Sequence, residues 1–131
     1  MIALDTNVLV RLVTRDDEAQ AQRAKALFDE HSQEDGALFV SDIVLVELCW
    51  TLERSYRLTR NEISMTLRAL LDNATVQWES SAAVCAALSH FASGSTGFPD
   101  CLIVAKASAQ GCEQTVTFDR RMSQLPGVKL L

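Results

Sequence analysis

Four acids of this chain stand where an apolar run meets a helical pattern or a turn. Asp5 ends Ile2-Ala3-Leu4, Glu47 lies within Ser41-Asp42-Ile43-Val44-Leu45-Val46-Glu47-Leu48-Cys49-Trp50, Asp100 follows Gly97-Phe98-Pro99, and Asp119 ends Thr117-Phe118. In a parallel α/β sheet the C-terminal ends of the strands share one edge, so acids at such junctions converge on one crevice. Converging carboxylates with no basic partner nearby in sequence invite a hard divalent cation. Two carboxylates about 4 Å apart repel by roughly 4 kcal/mol at an effective dielectric of 20. A cluster therefore takes up a cation or keeps some members protonated.

Each acid also has a plainer reading. Asp5 between a strand and a helix is an N-cap when read alone, and Thr6 and Asn7 add a hydroxyl and an amide that could orient it or a metal-bound water. On a helix Glu47 has Ile43, Val44 and Trp50 as its neighbours, an apolar face. An unpaired carboxylate there needs neutralising, by a metal or by a buried ion pair with an Arg such as Arg11 or Arg54. Asp100 opens a helix whose inward positions are expected at Ile103, Val104 and Ala107, and it reads alone as a cap. Asp119 closes a strand, where Asp is a turn former; Glu113 is a poorer rival because it precedes that strand. Four acids at the same kind of junction are nevertheless better explained together than as four unrelated caps.

The elements that must position these acids follow from patterning. Ile2 to Asp5 reads as a short buried strand and Thr6 to Val13 as an apolar helix. Asp16-Asp17-Glu18 places negative charge at the start of a second helix with Ala21, Ala24, Leu27 and Phe28 on one face. Ala37 to Val40 is the next strand, leading into a helix capped by Ser41 or Asp42. Thr59-x-x-Glu62 is a capping box before Ile63, Leu67, Leu70 and Leu71. Thr75 to Trp78 is a third strand, and Ser80 or Ser81 caps an alanine-rich helix running to Ser93. Gly94 to Gly97 is a flexible loop, and Pro99 suits the first turn of a helix stopped by Gly111. Gln114 to Phe118 and Val128 to Leu131 are the last strands. This alternation specifies one α/β domain over residues 1–131, with a parallel sheet of four to five short strands flanked by helices on both faces.

A chain of 131 residues is long enough to bury roughly two thirds of its unfolded surface. Cys49, Cys85, Cys101 and Cys112 show no C-x-x-C pairing and read as free core thiols in a reducing compartment. Met1 runs straight into a strand with no positive leader, and no apolar stretch approaches the eighteen or so residues of a membrane span, so a cytoplasmic protein is expected. The net charge of −5 argues against non-specific polyanion binding by the chain as a whole. It leaves room for a rim of cations around an acidic site, from Arg11, Arg15, Arg54, Arg57, Arg60, Arg120 and Arg121. His31 and His90 are isolated, and no phosphate-cradling glycine motif occurs.

With these residues in hand, the chain resembles the PIN-domain ribonucleases, and within them the VapC-like toxins of type II toxin-antitoxin pairs. The matching pieces are Ile2 to Leu9, the Asp16-Asp17 helix start, Ser41 to Trp50, Phe98 to Ile103, Thr117-Phe118-Asp119 and the tail Leu125 to Leu131, in the family's order. Carried over by position, the metal-binding, catalytic acids are Asp5, Glu47, Asp100 and Asp119, supported by Thr6, Asn7 and Thr117; Arg11, Arg120 and Arg121 are candidate RNA contacts as rim cations, in the case of Arg120 and Arg121 from a segment where family members vary. The resemblance implies an endoribonuclease that uses Mg²⁺ or Mn²⁺ to activate water and leaves 5′-phosphate and 3′-hydroxyl ends. It also implies a cognate antitoxin that restrains the site, contact with operator DNA only through that antitoxin, no membrane association, and a homodimer. The rival class is a non-catalytic or receiver-like acidic α/β signalling module. A receiver wants paired acids after the first strand and a mid-chain Asp; here the first strand offers one acid and the third ends in Glu79.

Overall fold

The computed structural model describes residues 1–131 as two compact units, Met1–Glu79 and Ser80–Leu131. The first unit is a three-stranded parallel sheet with two helices between successive strands. Its elements are β1 (Ile2–Ala3), α1 (Thr6–Thr14), α2 (Glu18–Glu30), β2 (Leu38–Val40), α3 (Asp42–Arg54), α4 (Arg60–Leu71) and β3 (Val76–Trp78). The strand order is β1-β2-β3, with Ile2 paired to Leu38 and Leu38 to Val76. That register carries Asp5, Ser41 and Glu79 to the same edge, just past the three strand ends.

Local chemistry explains the helix boundaries. Asp17 caps α2 by accepting from the Gln20 N–H at 3.0 Å, and Ser41 caps α3 by accepting from Val44 at 3.3 Å. The Thr59/Glu62 capping box opens α4, with both reciprocal bonds formed. A further cap comes from outside the helix: Glu79, just past β3, accepts the Asp42 N–H through Oε2 at 2.6 Å. This carboxylate meets the positive end of the α3 dipole. The core is aliphatic, with Leu9, Leu38, Leu45, Leu48, Leu52 and Leu67 fully enclosed.

The second unit contains α5 (Ser81–Ser93), α6 (Phe98–Ala109), β4 (Thr115–Thr117), a 3-10 turn at Met122–Gln124 and β5 (Val128–Leu130). Phe91 of α5 meets Phe98 of α6 edge to face, with ring centroids 5.9 Å apart. β4 and β5 run parallel, Thr115 opposite Val128 and Thr117 opposite Leu130, and the 3-10 turn with buried Met122 makes the crossover. Pro99 lies in the first turn of α6, whose N-cap is Gly97.

The parallel pairing holds for all five strands, three in the ladder of the first unit and two in that of the second. Several sequence expectations need correction. The first strand is not buried: Ile2 is 42% exposed, because β1 is an edge strand of its sheet, and Leu4 is the residue that enters the core. The cysteines form no disulfide, but only Cys49 and Cys101 are in the core; Cys85 and Cys112 are exposed. Burial, reinforced by Glu53, pushes the Cys49 thiol up to about 12, which makes it inert at neutral pH. Ser80 occupies the α5 cap position without a side-chain cap bond. No helix is long and apolar enough to cross a membrane.

The Glu79 cap gives a direct expectation. Glu79→Ala should destabilise the protein by about 1 kcal/mol, and Glu79→Gln by less, since the amide still accepts a hydrogen bond. Urea unfolding of the three proteins checks this; equal midpoints would remove Glu79 from the account of how α3 begins.

Candidate functional site

Each unit holds two of the four acids. In the first, Asp5 is the N-cap of α1, and its Oδ1 accepts the Thr6 N–H at 2.8 Å. The cap reading of Asp5 is therefore real, and it still leaves Oδ2 for other work. The Thr6 hydroxyl turns away from Asp5 and donates to Glu47 Oε2 at 2.6 Å. Thr6 thus ties the start of α1 to the second turn of α3, linking two carboxylates distant in sequence. The Asn7 side chain is exposed beside them.

Glu47 reaches this position for a reason different from the expected one. It is exposed, and so are Ile43 at 72% and Trp50 at 48%. The buried stripe of α3 runs instead through Leu45, Leu48, Cys49 and Leu52. The sequence of α3 is apolar on more than one side, so periodicity alone did not identify the face that packs. No ion pair joins Glu47 to Arg11 or Arg54. Arg54 lies over the Trp50 ring at 5.6 Å, and Arg11 is engaged elsewhere.

In the second unit Asp119 follows β4. Its Oδ1 accepts from the Arg121 N–H at 2.8 Å and from the Met122 N–H at 3.2 Å, while the Thr117 hydroxyl accepts the Asp119 N–H at 3.0 Å. Asp119 is the turn former expected of it, held in place by Thr117, with Oδ2 left over. Asp100 lies in the first turn of α6 and is not its cap. Nor are the expected inward positions the buried ones: Phe98, Cys101 and Leu102 pack, whereas Ile103 is 53% exposed. Burial, and then the negative charge of Asp119, hold the Asp100 carboxyl above its ordinary value.

None of the four acids makes an ion pair with a Lys, Arg or His. Neither unit by itself gathers three or more His, Cys, Asp or Glu side chains into a metal-binding group. What each unit offers is a pair of hard oxygen donors with no protein cation to balance them. Such a pair suits Mg²⁺, which keeps several waters and takes one or two carboxylates.

Arg120 and Arg121 are exposed on the turn around Asp119. Arg11 is not a free cation. Its Nη1 donates to Asp16 at 2.9 Å and to the Tyr56 hydroxyl at 3.3 Å, and its Nε donates to Gln20 Oε1 at 2.7 Å. The Tyr56 hydroxyl donates in turn to Asp16. That bond, then Thr14 and Arg11, lowers the Asp16 carboxyl below its ordinary value. Sequence reading gave no role to Tyr56 or Gln20, whose positions carry no periodic or spacing signal. Glu79 did carry one, the strand-end placement it shares with Asp5, and the structure commits it to capping α3.

The raised Asp100 carboxyl fixes a sign. A carboxyl held above its unfolded value disfavours folding once ionised, so its cost is absent below the ordinary value of 3.8 and complete above the raised folded value. In EDTA, Asp100→Asn should be more stable than the parent at pH 7, by roughly 0.5 kcal/mol after solvent screening. The advantage should vanish as the pH falls below the ordinary Asp range. Thermal melts across pH check this, and a loss of stability at pH 7 would contradict the placement of Asp100 beside Asp119.

Residues 2–128 match the PIN domain family, a span that crosses from the first unit into the second. A VapC ribonuclease of Aquifex aeolicus (strain VF5) is 30% identical over 125 residues, which cover 95% of this chain and 92% of that protein. The match takes in both carboxylate pairs and the residues that hold them. The chain belongs to the PIN domain family.

Proposed function

We propose that this chain is a metal-dependent endoribonuclease, the toxin of a type II toxin-antitoxin pair. The observation that supports this best is the presence of two carboxylate pairs without protein counter-cations, in a chain whose relative is a VapC ribonuclease. Asp100 and Asp119 are one pair of metal ligands and Asp5 and Glu47 the other, together holding one or two Mg²⁺ or Mn²⁺ ions. When bound, such an ion lowers the pKa of a water and stabilises the leaving 3′-oxygen of the RNA.

The chain's own residues orient that chemistry. Thr6 fixes the carboxylate of Glu47 by donating to Oε2, and the first backbone N–H of α1 fixes Asp5. Thr117 and the N–H groups of Arg121 and Met122 fix Asp119. Each bond occupies one oxygen and leaves another to face a cation. Arg120 and Arg121 supply positive charge for the phosphates of the substrate. No side-chain nucleophile or general-base histidine is required in this scheme. An acidic centre of this kind is also open to restraint by a basic residue of an antitoxin, which would carry any contact with operator DNA, and a homodimer is the assembly we expect.

Purified, partner-free protein should cut a mixture of tRNA and rRNA at discrete positions with Mg²⁺ or Mn²⁺ and not with EDTA. Asp5→Asn and Asp100→Asn, prepared identically, should lose about a hundredfold or more, and Thr6→Val about tenfold through the freed Glu47. Equal activity in every preparation, or none with any metal, would favour a non-catalytic binding module instead.

A further inference from the structure

A cavity of about 320 Å³ opens between α1 and α2, lined by Asn7, Val8 and Arg11 from the first helix and by Gln20, Arg23 and Leu27 from the second. Its polar groups are mainly donors, with the Asn7 amide offering both a donor and an acceptor. Arg11 Nε engages Gln20 Oε1, so the carbonyl side of that amide is taken and its N–H₂ remains to donate. Arg11 itself is braced by Asp16 and Tyr56 through Nη1, leaving Nη2. The side chains of Asn7 and Arg23 hold no other group of the protein. Asp16 balances Arg11, so Arg23 leaves the cavity positive within a chain of net charge −5. Val8 and Leu27 provide an aliphatic floor.

A donor-rich, positive rim over an apolar floor matches a nucleotide. The base plane covers the aliphatic carbons, while carbonyl and phosphate oxygens accept from Gln, Asn and Arg, the residue types that read exposed edges of unpaired bases. Asn7 also follows Thr6 directly, the residue that holds Glu47. We infer that this cavity is a nucleotide subsite for single-stranded RNA next to the cleaved phosphate, with Arg23 contacting phosphate and Gln20 reading the base. The position relative to the cleaved bond rests on the endoribonuclease reading; the binding of RNA by the cavity does not.

The test is fluorescence anisotropy in EDTA, where no cleavage occurs, with labelled 12-nucleotide oligouridylate, oligocytidylate and oligoadenylate. Arg23→Ala should weaken binding about tenfold and reduce the salt dependence by about one counterion, and Arg23→Lys should restore that salt dependence. Gln20→Ala should change the ranking of the three oligomers. Lys25→Ala, on the exposed side of α2 where Lys25 pairs with Asp29, should bind as the parent does. Folded Arg23→Ala and Gln20→Ala proteins that bind RNA unchanged would overturn the inference, as would a parent protein that binds none of the oligomers. So would an Arg23→Ala effect confined to oligoglutamate, which would make the cavity a protein-binding site. If the parent binds RNA through Arg23 but never cuts it with metal, the nuclease reading fails and the subsite stands. If it cuts RNA while both variants bind unchanged, the reverse holds.

Discussion

Unbalanced negative charge is the constraint around which this molecule is organised. Asp100 sits partly out of water beside Asp119, and the cost of that arrangement appears in the raised Asp100 carboxyl. Several other acids have a cation or a helix end beside them: Asp16 has Arg11 and Tyr56, Glu18 has Arg15, Asp29 has Lys25, and Glu79 has the N-terminus of α3. Asp5, Glu47 and Asp119 have only hydroxyls and backbone N–H groups, which orient a carboxylate without neutralising it. The proposed centre thus differs from Asp16, Glu18 and Asp29, each of which has a protein cation beside it.

The supporting bonds show how short elements achieve this. β1 has two residues and β4 three, too little ladder to hold a side chain rigidly. The residues after each strand make up the deficit. Asp5 caps α1 while Thr6 reaches across to Glu47; Asp119 nucleates a turn while Thr117 braces its backbone. In both units a cap or turn that would form in any protein also aims a carboxylate. The plain structural reading and the chemical reading of these acids are therefore not alternatives.

The α/β class, the parallel pairing and most helix boundaries were legible in the sequence, because strand-length apolar runs and capping residues are local signals. Thr59 with Glu62, and Ser41, each cap the helix that their spacing predicts. Burial was less legible. In α3, Ile43, Val44, Leu45, Val46 and Leu48 offer apolar residues all round, and only packing decides that Leu45 and Leu48 go in while Ile43 stays out. In α6 the same ambiguity misassigned Ile103. The Tyr56–Asp16–Arg11 brace and the cap from Glu79 depend on pairings between distant residues, for which a single sequence carries no pattern. The apolar neighbours of Glu47 suggest a buried carboxylate, whereas it is exposed and accepts from the Thr6 hydroxyl.

The central claim is that Asp5, Glu47, Asp100 and Asp119 all bind the metal on which the proposed cleavage depends. Mn²⁺ binding to the parent protein and to Asp5→Asn, Glu47→Gln, Asp100→Asn and Asp119→Asn, followed by electron paramagnetic resonance of the free ion, tests it most directly. The account predicts saturable binding of one or two ions by the parent and a clear loss of affinity in all four variants. Affinity lost only on changing Asp100 and Asp119, with Asp5→Asn and Glu47→Gln binding as the parent does, would contradict it.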